Sequence, residues 1–174
     1  ILDLIETYSY DKWGLIKPHG ITEFGGIVDG DYTDINNVQS IRSQNSILFG
    51  LLERTDRMEI AIPFTTGKST YHITQANSYL PYKAVLYKPI PFGVPIGQVT
   101  DWEYTSRIHF YELWKDVAGE RVLIRSANKD VLAQAFANND KLYVAFNNLD
   151  DFDQSINLKL HGNLPEISNV GIKS

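Results

Sequence analysis

The sequence predicts a chain in which an α/β part is followed by a β-rich part. Along its first two thirds, apolar residues recur at helical spacing, then in a short strand, then at helical spacing again and in a second strand. This alternation is typical of α/β proteins. After Gly119 the pattern changes to short alternating runs separated by turn residues, which is typical of a β-sandwich. We therefore predict two domains, residues 1–118 and residues 119–174.

Composition excludes several classes of protein. The chain has 174 residues, of which 43% are hydrophobic and 21% charged, as in ordinary globular proteins. A net charge of -5, with no basic run interleaved with aromatic residues, argues against nucleic-acid binding. No apolar stretch approaches the roughly 20 residues that a membrane span needs. Cysteine is absent, which excludes disulfides and cysteine-rich metal sites.

The first predicted strand, which follows the first predicted helix, carries a carboxylate, Glu23. Helical spacing of apolar residues predicts a helix from Ile1 to Trp13, with Gly14 as its C-terminal cap. The strand that follows carries Glu23 close to its end, and we expect it to be buried. A buried lone carboxylate is costly. Glu23 therefore either forms an ion pair with a neighbouring Arg or Lys, or takes part in chemistry.

A longer helix and a second strand come next. The acidic turn at Asp29-Gly30-Asp31 lacks the regular ligand spacing of a calcium loop, so we interpret it as a plain turn. Thr33 or Asp34 is a suitable N-cap for a helix that runs to about Arg54. Its predicted apolar face consists of Ile35, Val38, Ile41, Ile47, Leu48, Leu51 and Leu52. Its predicted solvent face consists of Asn36, Asn37, Gln39, Arg42 and Ser43. The second strand is predicted over Met58–Phe64.

Three stretches resemble one enzyme family, in the same order along the chain. They are Thr22-Glu23-Phe24-Gly25-Gly26, the segment 54–64 and the segment 110–117. Together they resemble glycoside hydrolase family 86, the β-agarases and β-porphyranases, over most of the first two thirds of the chain. The resemblance implies a (β/α)8 barrel with two catalytic glutamates, followed by β-sandwich domains.

By this resemblance the chain is the C-terminal part of a (β/α)8 TIM barrel followed by part of a β-sandwich domain. A complete barrel needs about 250 residues, so it does not fit in this length. Glu23 would be the nucleophile at the end of the seventh strand, and Met58–Phe64 would be the eighth strand. The acid/base glutamate usually follows an Asn in such barrels. The sequence contains no Asn-Glu pair, so this residue is expected outside the chain.

The implied activity is retaining, endo-acting hydrolysis of β-linkages in a red-algal galactan, either agarose or porphyran. The resemblance implies no metal and no organic cofactor. It implies an extracellular or periplasmic location in a bacterium, and the upstream part of the same enzyme as a partner. Two alternatives stay open: a noncatalytic carbohydrate-binding module, and a purely architectural β-rich domain.

Candidate substrate-binding residues come from the strand with Glu23 and from a long segment after the second strand. The segment from Thr65 to about Thr105 is unusually long for a loop, and such loops are often functional. It is rich in aromatic residues, which can stack on the C–H faces of sugars or can simply pack the loop onto the protein. From it we select Tyr71, His72 and Trp102. We add His19, which strand alternation places on the same face as Glu23.

A last helix and four strands complete the predicted elements. The helix starts after Thr105 or Ser106. The strands are expected over residues 121–126, 131–137, 141–147 and 154–160, with a hairpin turn at Asn138-Asn139-Asp140. Four strands are too few for a complete sandwich, so we expect other strands from elsewhere.

Overall fold

A computed structural model describes residues 1–26, 29–162 and 166–174. Contacts divide the chain into two compact units, Ile1–Ile108 and His109–Ser174. Within the described ranges, no helix is both long enough and apolar enough to cross a membrane.

The first unit begins with the predicted run of helix, strand, helix and strand. Its elements are α1 (Leu2–Trp13), β1 (His19–Phe24), α2 (Asp34–Leu51), a short 3-10 helix (Leu52–Arg54) and β2 (Met58–Pro63). Gly14 ends α1 in the left-handed conformation, φ 69°, and its N–H donates to the Tyr10 carbonyl at 2.8 Å. Thr33 caps α2, because its hydroxyl accepts from the Asn36 N–H at 3.0 Å. The mixed α/β character of this part is confirmed.

β1 and β2 form a parallel pair, and α2 is the crossover between them. The register joins His19 with Met58, Gly20 with Ile60 and Phe24 with Pro63, with irregularities near both ends. At the last rung the Phe64 N–H donates to the Phe24 carbonyl at 2.7 Å. Parallel strands require such a crossover, and they bring their C-terminal ends to the same edge.

The buried face of α2 is polar along its first three turns and apolar only at Phe49. The predicted faces were therefore wrong for this first part of the helix, although Gln39 and Arg42 are exposed as predicted. Asn37, Ser40 and Gln44 are completely buried, whereas Ile35 is 71% exposed and Val38 is also exposed. The periodicity rule assumes that a helix packs against an apolar surface. Here α2 instead packs against the buried side chain of Arg107, which needs hydrogen-bond acceptors.

The long segment after β2 has secondary structure of its own. It contains 3-10 helices at Thr70–His72, Gln75–Asn77 and Ile96–Gln98, and the antiparallel strands β3 (Tyr87–Ile90) and β4 (Asp101–Tyr104). The apolar run Val85-Leu86-Tyr87 enters β3 only at Tyr87. Val85 and Leu86 are buried ahead of it.

The second unit is mainly a three-stranded antiparallel sheet. After α3 (Ile108–Trp114) come β5 (Glu120–Val122), β6 (Val131–Ala137) and β7 (Leu142–Asn148), in the order β5-β6-β7. The predicted hairpin is confirmed, since the Asn138 side-chain oxygen accepts from the N–H groups of Asp140 and Lys141. The strand predicted over residues 154–160 is wrong. An alternating sequence forms a strand only where a neighbour supplies ladder bonds.

Gly119 generates a prediction about this sheet. Its φ is 115°, and a Cβ at this position would meet the backbone of Ala137, which pairs with Glu120. We expect Gly119→Ala to lower the free energy of unfolding by about 3 kcal/mol, from backbone strain and displacement of β6. Urea unfolding measures the change. Gly171→Ala is the control, because a Cβ there has no neighbour within 4 Å. Equal stability of the two variants would contradict the prediction.

Candidate active site

An open depression of about 410 Å³ lies at the C-terminal ends of β1 and β2. Thr22 and Glu23 of β1 line it together with Ile62 and Pro63 of β2. The segment after β2 supplies the rest of the wall, from Phe64 to Tyr71. In α/β proteins this edge of a parallel sheet is where ligands bind.

Glu23 is exposed in this depression, so the prediction that it is buried was wrong. Within the described residues it forms no ion pair with Lys or Arg, so the proposed structural pairing is not observed. Its carboxylate keeps contact with solvent and avoids the desolvation cost that the prediction assumed. A charged carboxylate on a strand end can act there as a nucleophile or as a hydrogen-bond acceptor.

Tyr71 lines the depression, whereas His72, the next residue, does not line it and is less exposed. Tyr71 is 68% exposed. The His72 ring packs edge-on against Tyr82, with ring centres 5.3 Å apart, and Tyr82 packs on Phe64 at 5.5 Å. Burial, and then the nearby Tyr71 and Glu23, raise the pKa of the Tyr82 hydroxyl, against a smaller effect of Arg107. Sequence reasoning did not select Tyr82, which packs between His72 and Phe64.

Arg107 supports the wall of the depression from behind. It is 1% exposed, and its guanidinium donates to the Ser40 hydroxyl at 2.7 Å, to Gln44 and to the Phe64 carbonyl. Its backbone N–H donates to the Asn37 side chain at 3.1 Å. Nothing in the sequence around Arg107 indicated this role. The helical spacing of Asn37, Ser40 and Gln44 could have indicated a polar face.

His19 lies at the other end of β1 from Glu23. It is buried, and its Nε2 lies 2.8 Å from Oε1 of Glu6. The same oxygen accepts from Arg54 at 2.8 Å, and the other carboxylate oxygen of Glu6 accepts from Arg57. Glu23 is four residue steps along the strand from His19, a distance of about 13 Å. The irregular register of β1 breaks the alternation on which their common face depended. The structure therefore does not bring His19 beside Glu23.

Trp102 lies on β4 and does not line the depression. It is partly buried, and the Lys68 ammonium nitrogen lies 4.8 Å from the centre of its ring. Lys68 is flanked by Gly67 and Ser69, both of which line the depression. Trp102 is thus a neighbour of the depression wall, and Lys68 covers part of its ring.

The Glu6 cluster generates a prediction about pH. The hydrogen bond with His19 lowers the pKa of Glu6, with Arg54 and Arg57 acting in the same direction against the effect of burial. A lowered pKa means that this stabilisation is complete above pH 4.5, the ordinary value, and disappears as the pH falls through the folded-state value. Glu6→Gln should therefore lower the melting temperature at pH 7, with a smaller difference from wild type at pH 3.5.

The control for this prediction is Glu59→Gln, which changes an exposed carboxylate at the start of β2. Its melting temperature should stay close to that of wild type at both pH values. A Glu6→Gln difference that is independent of pH would show that the charge of Glu6 contributes nothing to stability.

Comparisons with known proteins identify relatives along the whole chain. A family model described as porphyranase β-sandwich domain 1 matches residues 130–174. β-Porphyranase A of Phocaeicola plebeius is 44% identical, over 100% of this chain and 24% of the relative. Funoran endo-β-hydrolase of Wenyingzhuangia aestuarii is 31% identical, over 90% of this chain and 21% of the relative. β-Agarase AgaO of Microbulbifer thermotolerans is 30% identical, over 100% of this chain and 16% of the relative.

Solved structures of related enzymes resemble this chain as well. A β-porphyranase of glycoside hydrolase family 86 from the human gut bacterium Bacteroides plebeius superposes with a TM-score of 0.73 at 46% identity, over 86% of this chain and 27% of that one. BuGH86 in complex with neoagarooctaose has a TM-score of 0.73 at 30% identity, over 86% of this chain and 24% of that one. The predicted family is confirmed: the chain is homologous to one segment of glycoside hydrolase family 86 enzymes and spans 16–24% of the length of these curated relatives.

Proposed function

We propose that this chain is part of a retaining endo-glycoside hydrolase that cleaves β-linkages in a red-algal galactan, agarose or porphyran, with Glu23 as nucleophile. The observation that carries the proposal is the position of Glu23: exposed, at the C-terminal end of a parallel strand, in an open depression. The relatives named for β-porphyranase and β-agarase activity support the substrate class. A relative crystallised with neoagarooctaose supports binding of a sugar chain.

The proposed chemistry has two steps. The Glu23 carboxylate attacks the anomeric carbon and forms a glycosyl-enzyme, while a protonated carboxylic acid donates its proton to the departing sugar oxygen. The same acid, now ionised, then takes a proton from water. The water oxygen displaces Glu23 and gives a product of retained configuration. Retention requires two carboxyl groups about 5–5.5 Å apart.

The second carboxyl group comes from outside this chain in our proposal. Glu23 is the only carboxylate among the described residues that line the depression. Two other glutamates that could be considered for the acid are already paired: Glu103 with Lys88 at 3.3 Å, and Glu112 with His109 at 2.9 Å. Hydroxyl groups of Thr22, Thr65 and Ser69 line the same depression and can bond to sugar hydroxyls.

We further propose that β1 and β2 are the seventh and eighth strands of a (β/α)8 barrel completed by an upstream segment. The parallel pairing, the crossover helix and the position of the depression support this arrangement. Ile60 on β2 is 50% exposed, and Ile35 and Val38 of α2 are exposed as well. Neighbouring strands and helices of a barrel would cover such apolar surface.

Other parts of the proposal follow from the family. Domain bounds of 1–118 and 119–174, and an extracellular or periplasmic location in a bacterium, stay predictions. Among the predicted substrate contacts, Tyr71 has a position that supports the role, because it lines the depression, whereas His72 packs on Tyr82 beside it. Trp102 is next to the wall, and His19 is at the far end of β1.

The first prediction from this proposal concerns Glu23. Glu23→Gln in the complete enzyme should lower the rate of galactan cleavage by a factor of about 10⁴ or more, because an amide cannot form the glycosyl-enzyme. Release of reducing ends from agarose and porphyran measures the rate. Glu166→Gln, which changes an exposed carboxylate outside the candidates for the acid, is the control and should keep wild-type activity. Substantial cleavage by a folded Glu23→Gln variant would remove Glu23 from the mechanism.

The second prediction concerns residues 1–174 expressed alone. They should be inactive on both polysaccharides, since one carboxylate cannot support retention, and they should aggregate through exposed apolar side chains. Adding the upstream segment should restore solubility and cleavage. Specific cleavage by the isolated chain would contradict the proposal and direct the search for the acid to Glu53, Glu59, Glu103 and Glu112. Binding without turnover by the complete protein would instead indicate a carbohydrate-binding module.

A further inference from the structure

We propose that the paired rings of Tyr87 and Tyr104 form a second sugar-binding platform, which holds a galactan unit remote from the bond being cleaved. This inference rests on the proposed function and extends it from the depression to the neighbouring two-stranded ribbon, β3 with β4. Its occupant is the same polysaccharide chain that occupies the depression.

The strand register places the aromatic residues of the ribbon on one face. Tyr87 is opposite Tyr104, and Pro89 is opposite Trp102. Directly opposed residues of an antiparallel pair share a face, and so do residues two apart on one strand. The other face carries Lys88 and Glu103, whose charged groups are 3.3 Å apart. The ribbon thus has one aromatic face and one face with an ion pair.

The two tyrosines hold each other in place. Their ring centres are 4.7 Å apart with planes inclined by 32°, and the Tyr87 hydroxyl donates to the Tyr104 hydroxyl at 3.1 Å. Tyr104 nevertheless remains 54% exposed. An aromatic ring that is already fixed loses little conformational freedom when a ligand stacks on it. The exposed ring is apolar and its hydroxyl edge is polar, which matches the C–H face and hydroxyl rim of a sugar.

Lys68 links the aromatic face to the wall of the depression. Trp102 is at its near end, where Lys68 contacts the indole ring, and the neighbours of Lys68 line the depression. Tyr104 is two residues farther along β4, a separation of about 7 Å. Because Lys68 already covers part of the Trp102 ring, Tyr104 is the more accessible of the two aromatic residues.

A sugar fits this surface better than a protein partner does. A stable protein interface buries about 800 Å² on each side, with an apolar centre. The exposed aromatic surface of this face is essentially the Tyr104 ring. Tyr87 and Trp102 are only partly exposed, and Pro89 on the same face is buried. One sugar unit of a polysaccharide can stack on a single aromatic ring, provided that the ring lies along the path of the bound chain.

Binding measurements on the complete enzyme test the proposal. The parent is the Glu23→Gln variant, which leaves the oligosaccharide intact, and the probes are neoagarooctaose and neoagarotetraose, with porphyran oligosaccharides of matched length. Adding Tyr104→Ala should weaken binding of the octasaccharide about 5- to 20-fold and that of the tetrasaccharide less than about twofold. Adding Tyr104→Phe, which keeps the ring, should change both by less than about twofold.

Ile90→Ala is the matched control, because Ile90 is exposed on the opposite face of the same ribbon. It should leave both affinities unchanged. Unaltered binding of the tetrasaccharide by Tyr104→Ala shows that this variant is folded. The inference is overturned if Tyr104→Ala leaves octasaccharide binding intact, weakens both lengths equally, or behaves like Ile90→Ala. If the parent binds none of the oligosaccharides, the proposed function itself fails, and the platform fails with it.

Discussion

The parallel pairing of β1 with β2 is the interaction on which the rest of the first unit depends. A parallel pair cannot be closed by a tight turn, so α2 must cross between the strands. The same geometry brings both C-terminal ends to one edge, where the Phe64 N–H joins the Phe24 carbonyl at 2.7 Å. Glu23 therefore lies on a strand next to the segment that forms the wall of the depression, and a carboxylate held on a strand is positioned more precisely than one on a loop.

Two polar clusters hold the opposite ends of this pair, and they have different consequences. At the N-terminal end, Glu6 joins α1 to His19 and to the arginines that precede β2. At the C-terminal end, Arg107 joins α2 to the first residue after β2. Burying charge is expensive unless every partner is present. Disturbing the first cluster changes stability far from the depression, whereas disturbing the second also moves a wall of the depression.

Sequence reasoning succeeded where the signal is local. Gly14, Thr33 and Asn138 each form a hydrogen bond with a backbone group a few residues away. The end of α1, the start of α2 and the hairpin could therefore be predicted from neighbouring residues in the sequence. It failed for the buried face of α2, because that face is decided by Arg107, 63 to 70 residues away. It failed again for residues 154–160, because a strand needs a partner. The place of Glu23 at a strand end followed from the residues, while the catalytic role that we propose for it came from the family resemblance.

The polar face of α2 limits how this part of the chain can change during evolution. In an apolar core, Leu and Ile can replace each other with modest loss, because volume is the main requirement. Around Arg107 the requirement is the number and direction of hydrogen bonds, so an apolar residue at position 37, 40 or 44 alone would leave a buried donor without its acceptor. Positions 40, 44 and 107 should accordingly vary as a set among homologues, because Ser40 and Gln44 accept from the guanidinium. Asn37 accepts from the backbone N–H of residue 107, so its role persists whichever side chain position 107 carries.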